Sequence, residues 1–276
     1  MLPSWRDEVR VALCPDRVIL ARVSGRWRPR VIAKQIVHCA GLGIADWKPG
    51  IEALAPALAE SRWKDADAAV IVSNHFVRYA LVPWSAALVS DAEKLGWVRH
   101  HFVEVYGEAV ANAQYRWSEE GPDAGCLASA IDGEFMDRIG SVFEGNGLRL
   151  RSIQPYLMAV FNRFGRRAAG KAWWVLAAEP GHVCLASIAR GRWHGIASRK
   201  IGADWQTEMR TVLDRELVLA GGADAPEAIF AYVPGIPSFQ IPQWNKVPLR
   251  TLAPRALPGF SPHADAEYAM ALTGRT

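Results

Sequence analysis

The sequence predicts an α/β protein in which one β-β-β-α-β unit occurs twice in tandem. Three observations carry the prediction. The chain opens with three strand-like runs, a helical period and a short unalternated apolar run, and from residue 172 the same order returns. Between the two stands a helix end studded with Arg163, Arg166, Arg167 and Lys171 around Gly165 and Gly170, which makes the best boundary in the chain. The 276 residues are 50% hydrophobic and 22% charged, a globular balance that excludes wholesale disorder.

In the first half, Val9 to Cys14 alternates as a strand, Pro15-Asp16 turns, Arg17 to Val23 follows, and Ser24-Gly25-Arg26 turns again into Arg30 to Cys39. Ile51, Leu54, Ala55 and Leu58 recur at helical spacing. Ala68 to Val72 is continuously apolar, as a parallel strand covered on both faces should be. Phe76 to Val82 reads as a strand stopped by Pro83. A helix from Ser90 or Asp91 carries Leu95, Val98, Phe102 and Val105. Strands near Asn112–Trp117 and Gly125–Ala130 precede a helix capped by Asp132, with Phe135, Ile139, Val142 and Phe143 inward and Gly145-Asn146-Gly147 as its stop. Leu148 to Ile153 is a strand, and Pro155 opens a helix carrying Leu157, Val160, Phe161 and Phe164.

In the second half, Ala172 to Ala178, His182 to Ala189 and Trp193 to Ile201 are strands separated by Glu179-Pro180-Gly181 and Arg190-Gly191-Arg192. A helix from Asp204 turns Trp205, Met209, Val212, Leu213 and Leu217 inward and stops at Gly221-Gly222; Ala228 to Val233 is the next strand. A proline-rich stretch holds one more strand, Lys246 to Leu252, and a last helix is expected from Ser261-Pro262. The expected domains are 1–168, with an α/β insertion at about 76–131, and 169–276 with that terminal helix. Two such units match the duplicated ribonuclease-H-like, or actin-like ATPase, architecture, in which the two first hairpin turns face each other across a central nucleotide cleft.

Other readings fall away. The 32 basic and 28 acidic residues leave a net charge of +4, spread along the chain, which argues against a nucleic-acid-binding module. The longest apolar run, Ala172 to Ala178, is a strand's length, far short of a bilayer span. The amino end has no signal-peptide core. Cys14, Cys39, Cys126 and Cys184 form no CxxC pair and read as reduced thiols in a cytoplasmic protein. His100 and His101 are adjacent on a helix and cannot share a metal face; His182 and Cys184 share a strand face but have no further ligand at recognisable spacing. No metal is expected. No GxSxG, Walker A, HExxH or GxGxxG sequence occurs.

Four segments resemble the PilM/GspL/MshI group, actin-like cytoplasmic proteins of type IV pilus and type II secretion machines. They are Val11 to Val18, Val70 to Trp84, Ile153 to Arg163 and Glu267 to Gly274. The resemblance implies an actin-like fold, a place at the inner membrane reached through a partner, and binding to the cytoplasmic segment of a PilN-like membrane protein or another platform subunit. Because the sequence ends just after its expected last helix, it resembles the PilM arrangement rather than those that carry their own membrane helix.

The nucleotide chemistry of that fold is testable by position. The first phosphate turn needs a carboxylate for hydrated Mg²⁺ and a glycine for close approach of phosphate. Those positions fall on Ala12 and Cys14, with Asp16 one position late. In the second turn the carboxylate position falls on Ala177 or Ala178, with Glu179, Pro180 and Gly181 following. The adenosine loop should hold a Gly-Gly pair after Val233, and only Gly235 is there. The expectation is a pseudo-ATPase with no ATP or Mg²⁺ cofactor, the alternative being an active Mg-ATP-dependent ATPase or small-molecule kinase. Partner binding is assigned to Phe76, Arg78, Tyr79 and Trp84, on a strand that reads equally as a covered core strand or as part of a groove for an extended peptide.

Overall fold

The computed structural model describes residues 6–25, 27–39, 46–83, 85–118, 125–165, 172–202, 204–221, 225–234, 243–244 and 247–274. Its strands are β1 (Glu8–Leu13), β2 (Arg17–Ser24), β3 (Arg30–His38), β4 (Asp67–Val72), β5 (Val77–Val82), β6 (Ala113–Trp117), β7 (Cys126–Asp132), β8 (Arg149–Pro155), β9 (Ala172–Glu179), β10 (His182–Ala189), β11 (Arg192–Lys200), β12 (Ala228–Tyr232), β13 (Gln243–Trp244) and β14 (Val247–Leu252). Its helices are α1 (Lys48–Ala59), α2 (Asp91–Tyr106), α3 (Gly133–Gly145), α4 (Tyr156–Phe164) and α5 (Trp205–Ala220).

The chain divides into two compact units, residues 1–76, 134–165 and 253–276 in one and 77–133 and 166–252 in the other. This differs from a single cut near residue 168. The segment 77–133 belongs with the later strands, and the tail from residue 253 belongs with the first ones.

The first unit has a five-stranded sheet in the order β3-β2-β1-β4-β8. β1 is antiparallel to β2, with Leu13 opposite Val18, and parallel to β4, with Leu13 opposite Val72. β4 is almost wholly buried, which is why it reads Asp-Ala-Ala-Val-Ile-Val without alternation. α1 buries Ile51, Leu54, Ala57 and Leu58. α3 buries Phe135, Ile139 and Phe143, and Phe135 stacks on Trp47. At the sheet's lower edge, Asp67 takes bonds from the guanidiniums of Arg149 and Arg151 at 3.0 Å.

The second unit holds a six-stranded sheet in the order β11-β10-β9-β12-β14-β13. Its first four strands repeat the order and sense of β3-β2-β1-β4, with β9 antiparallel to β10 and parallel to β12. The duplication predicted from the element order is therefore present. α5 packs Met209 and Leu213 on Trp174, Leu176, Leu185 and Ile229. A separate sheet, β5-β7-β6, is covered by α2, with Val98 and Phe102 packed on Ala80, Val82, Ala128 and Ala130.

Three elements depart from expectation. Phe76 is not in the strand; it ends a 3₁₀ turn, Asn74–Phe76, and its ring meets the edge of Phe135. Leu95 and Val105 face outward on α2, at 43% and 56% exposure, because the sheet it covers takes Val98, Phe102 and Tyr106 instead. The expected terminal helix is a chain of turns with one short 3₁₀ segment, Ala266–Tyr268. Ala269 to Thr273 are consecutively buried, so no amphipathic stripe favours a regular helix. Bonds from Leu272 N–H to Tyr268 C=O and from Thr273 N–H to Met270 C=O mix the α and 3₁₀ patterns. Among the described residues no helix is long and apolar enough to cross a membrane.

Candidate functional site

The turn joining β1 and β2 is three residues long, Cys14-Pro15-Asp16. Cys14 N–H donates to the Arg17 carbonyl at 3.0 Å, and Pro15 has no N–H to give. The Asp16 carbonyl accepts from Cys39 N–H at 2.8 Å, and its exposed carboxylate lies 3.5 Å from Arg17 Nε. Ala12 is wholly buried in β1. The Cys14 thiol points to the tail, where it donates to Met270 Sδ at 3.5 Å. The tail is held there by Arg163, whose guanidinium donates to the Leu272 carbonyl at 2.9 Å, and by Arg10, which donates to Gly274 at 3.1 Å.

The β9–β10 turn is Pro180-Gly181, with Glu179 and His182 paired at its base. Gly181 sits at φ 77°, a conformation glycine adopts without penalty, and its carbonyl accepts from Ile201 N–H at 3.0 Å. Ala177, Ala178 and Glu179 are all buried. Beside them lies a polar cluster the sequence only half disclosed. His182 Nδ1 is 3.8 Å from Cys184 Sγ, His182 Nε2 is 3.3 Å from Ser198 Oγ, and the Cys184 thiol donates to Ser198 Oγ at 3.5 Å. Burial pushes the Cys184 thiol far up, the charge of Glu179 adds to this, and the bond to Ser198 opposes it. A thiol held protonated is a weak nucleophile. Ser198 was invisible because it arrives from β11 by register, opposite Cys184, fourteen residues away. Among the described residues no three metal-ligating side chains converge.

The segment assigned to partner binding is divided. Arg78 is exposed on β5. Tyr79 is buried, and its carbonyl accepts from the Tyr106 hydroxyl at 2.6 Å. Phe76 is set apart in its 3₁₀ turn. Trp84 and Gly235 lie outside the described residues.

A sheet of this order occurring twice, each copy with a parallel fifth strand, is the actin-like ATPase fold, and this chain has it. Among solved structures the chain is similar to a chain of the PilM–PilN type IV pilus biogenesis complex, at 15% identity and a TM-score of 0.69 over 98% of both chains. It is similar to the cytoplasmic domain of EpsL, an inner-membrane component of the type II secretion system of Vibrio cholerae, at 11% identity and 0.63 over 98% of this chain and 96% of that one. A Bacteroides thetaiotaomicron protein with the actin-like ATPase fold and unknown function matches at 10% identity and 0.58 over 90% and 91%. No family model matches the sequence, and no curated protein does.

Proposed function

We propose that the chain is a non-catalytic scaffold of an inner-membrane assembly platform of the type IV pilus or type II secretion kind. It binds the cytoplasmic segment of a PilN-like membrane partner and turns over no nucleotide. The observation that supports this reading is the β1–β2 turn. A phosphate needs several convergent N–H donors, and Mg²⁺ needs carboxylates beside them. In the turn Cys14 spends its N–H on Arg17 and Pro15 has none, and in β1 the buried Ala12 stands at the position assigned to the carboxylate. The residues present do not fit Mg-ATP, so no phosphoryl-transfer step is assigned to them. The partner half of the reading draws on the similarity to the PilM–PilN complex and to EpsL.

Titration calorimetry tests it. The unmodified chain should give no saturable heat with Mg-ATP, and should give one with the cytoplasmic peptide of a PilN-like membrane protein. Tight ATP binding overturns the non-catalytic reading and returns the ATPase or kinase. Cys14→Gly is the informative variant, since Ala12→Asp places a carboxylate at a fully buried position and costs several kcal/mol.

A further inference from the structure

We propose that the tip of the β2–β3 hairpin is a direct contact for an anionic lipid surface, with Trp27 entering the headgroup layer and Arg28 and Arg30 meeting lipid phosphates. The sequence of this region is one-sided. Residues 17–45 hold Arg17, Arg22, Arg26, Arg28, Arg30 and Lys34 and no Asp or Glu. The structure gives three of these charges a carboxylate partner. Along the hairpin's strands Arg17 lies 3.5 Å from Asp16, Lys34 pairs with Asp265 at 2.6 Å, and Arg22 pairs with Asp7 at 2.8 Å. At its tip Arg28 and Arg30 are exposed, and neither has a carboxylate partner among the described residues.

Between the basic residues stands Trp27, 89% exposed, more than any other large hydrophobic among the described residues. Ile32, the unpaired residue where the β2–β3 register shifts, is 48% exposed. A single exposed indole between arginines is not an extended apolar patch of the kind a protein partner covers. The bilayer interface is the environment that takes a single indole at headgroup depth while neighbouring guanidiniums reach its phosphates.

The described residues flanking the tip are conformationally constrained. Gly25 has φ 86°, and a Cβ there would lie 2.8 Å from the Arg28 carbonyl, so the turn requires glycine. Pro29 fixes the far side of the turn. The strands just behind the turn are held by the tail: Val31 N–H donates to the Pro258 carbonyl at 2.8 Å, and Phe260 is buried with Ala21, Val23 and Val31. A preorganised tip loses little conformational freedom on contact with a surface.

This inference stands apart from the scaffold reading, because it needs no partner protein. The test is flotation of the purified chain with vesicles of phosphatidylcholine alone and of phosphatidylcholine with phosphatidylglycerol. The chain should float with the anionic vesicles only, less as salt rises. Trp27→Ala should weaken that partitioning on the order of tenfold, and Arg28→Ala with Arg30→Ala by roughly fivefold for each arginine removed. All three positions are exposed, so a circular dichroism melt matching the parent confirms intact folding. Failure of the parent chain to float overturns the proposal. So does flotation that survives both variants, equal binding to neutral vesicles, or capture of duplex DNA through Trp27 without any vesicle binding.

Discussion

Cys184 shows what a single buried side chain does in this molecule. It is fully enclosed, and its thiol sits between His182 and Ser198. Its protonation equilibrium is raised by burial first and by the Glu179 charge second. A raised acid keeps its proton in the folded state after the unfolded chain has lost it. Its contribution is complete below the ordinary thiol value of 9.0 and is lost as pH rises above that. From pH 9 upward this group alone steepens the loss of stability by up to about 1.4 kcal/mol per pH unit. Cys39 is raised too, by burial and then by Asp16, so parent and variant must be compared directly. In urea melts across alkaline pH, Cys184→Ala should lose stability with pH less steeply than the parent. Parallel curves would show that the thiol is not held protonated. The sequence revealed that His182 and Cys184 share a strand face, since that is a local period of two. It did not reveal Ser198 or the enclosure, because both come from pairing across a sheet.

Among the elements, α2 separates what is legible in sequence from what is not. Its start was legible. Ser90 Oγ accepts from Glu93 N–H at 3.2 Å, and the Glu93 carboxylate accepts in return from Ser90 N–H at 2.8 Å. Donation from Ser90 N–H, then from the Ser90 hydroxyl and Val89 N–H, holds the Glu93 carboxyl below the usual range. Ser90→Ala should cost about 1 kcal/mol. Amide exchange should quicken in the first turn of α2 and stay unchanged in β9 to β12. Unchanged exchange at Asp91 to Lys94 would show that the capping box is not what holds this end. The helix's buried face was not legible. Leu95 and Val105 fit the helical period as well as Trp97 and Tyr106 do, and the β5-β7-β6 sheet decides between them. Its small Ala80, Ala128 and Ala130 leave room for Phe102, and Tyr106 is held by the Tyr79 carbonyl. Packing rather than local period also shaped the tail. A stretch buried on every side has no stripe to read, so the expected helix is a run of turns.

At the scale of the whole chain, the duplicated sheet could be read from element order, because each hairpin and each helix-to-strand crossover is local and right-handed crossovers leave few alternatives. The units themselves could not, since each is assembled from separated stretches of chain. The return of residues 253–276 to the first unit has a direct energetic consequence. Phe260, Ala269 and Leu272 complete the core cluster that also holds Ala21, Val23 and Val31. Gly259, at φ 81°, lies so close to the Val31 carbonyl that a Cβ there would overlap it. Lys34 and Asp265 close the edge, and the lysine holds the Asp265 carboxyl below its ordinary value, with Ser261 N–H assisting. A depressed carboxylate stabilises above its unfolded value and loses that contribution as pH falls through the folded one, so the docked tail should loosen in acid. Phe260→Ala should cost about 3 kcal/mol or more. Removing residues 253–276 should leave the first sheet with an open apolar face, seen as dye binding and a lost or much lowered first thermal transition. A truncated chain that melts like the parent would show that β2 and β3 need no cover from the tail. The hairpin carrying Trp27 would then owe its rigidity to its own strand pairing and not to the tail. The truncation therefore tests the cover that Pro258 and Phe260 give to Val31 and, with it, the support of the proposed lipid-contact tip.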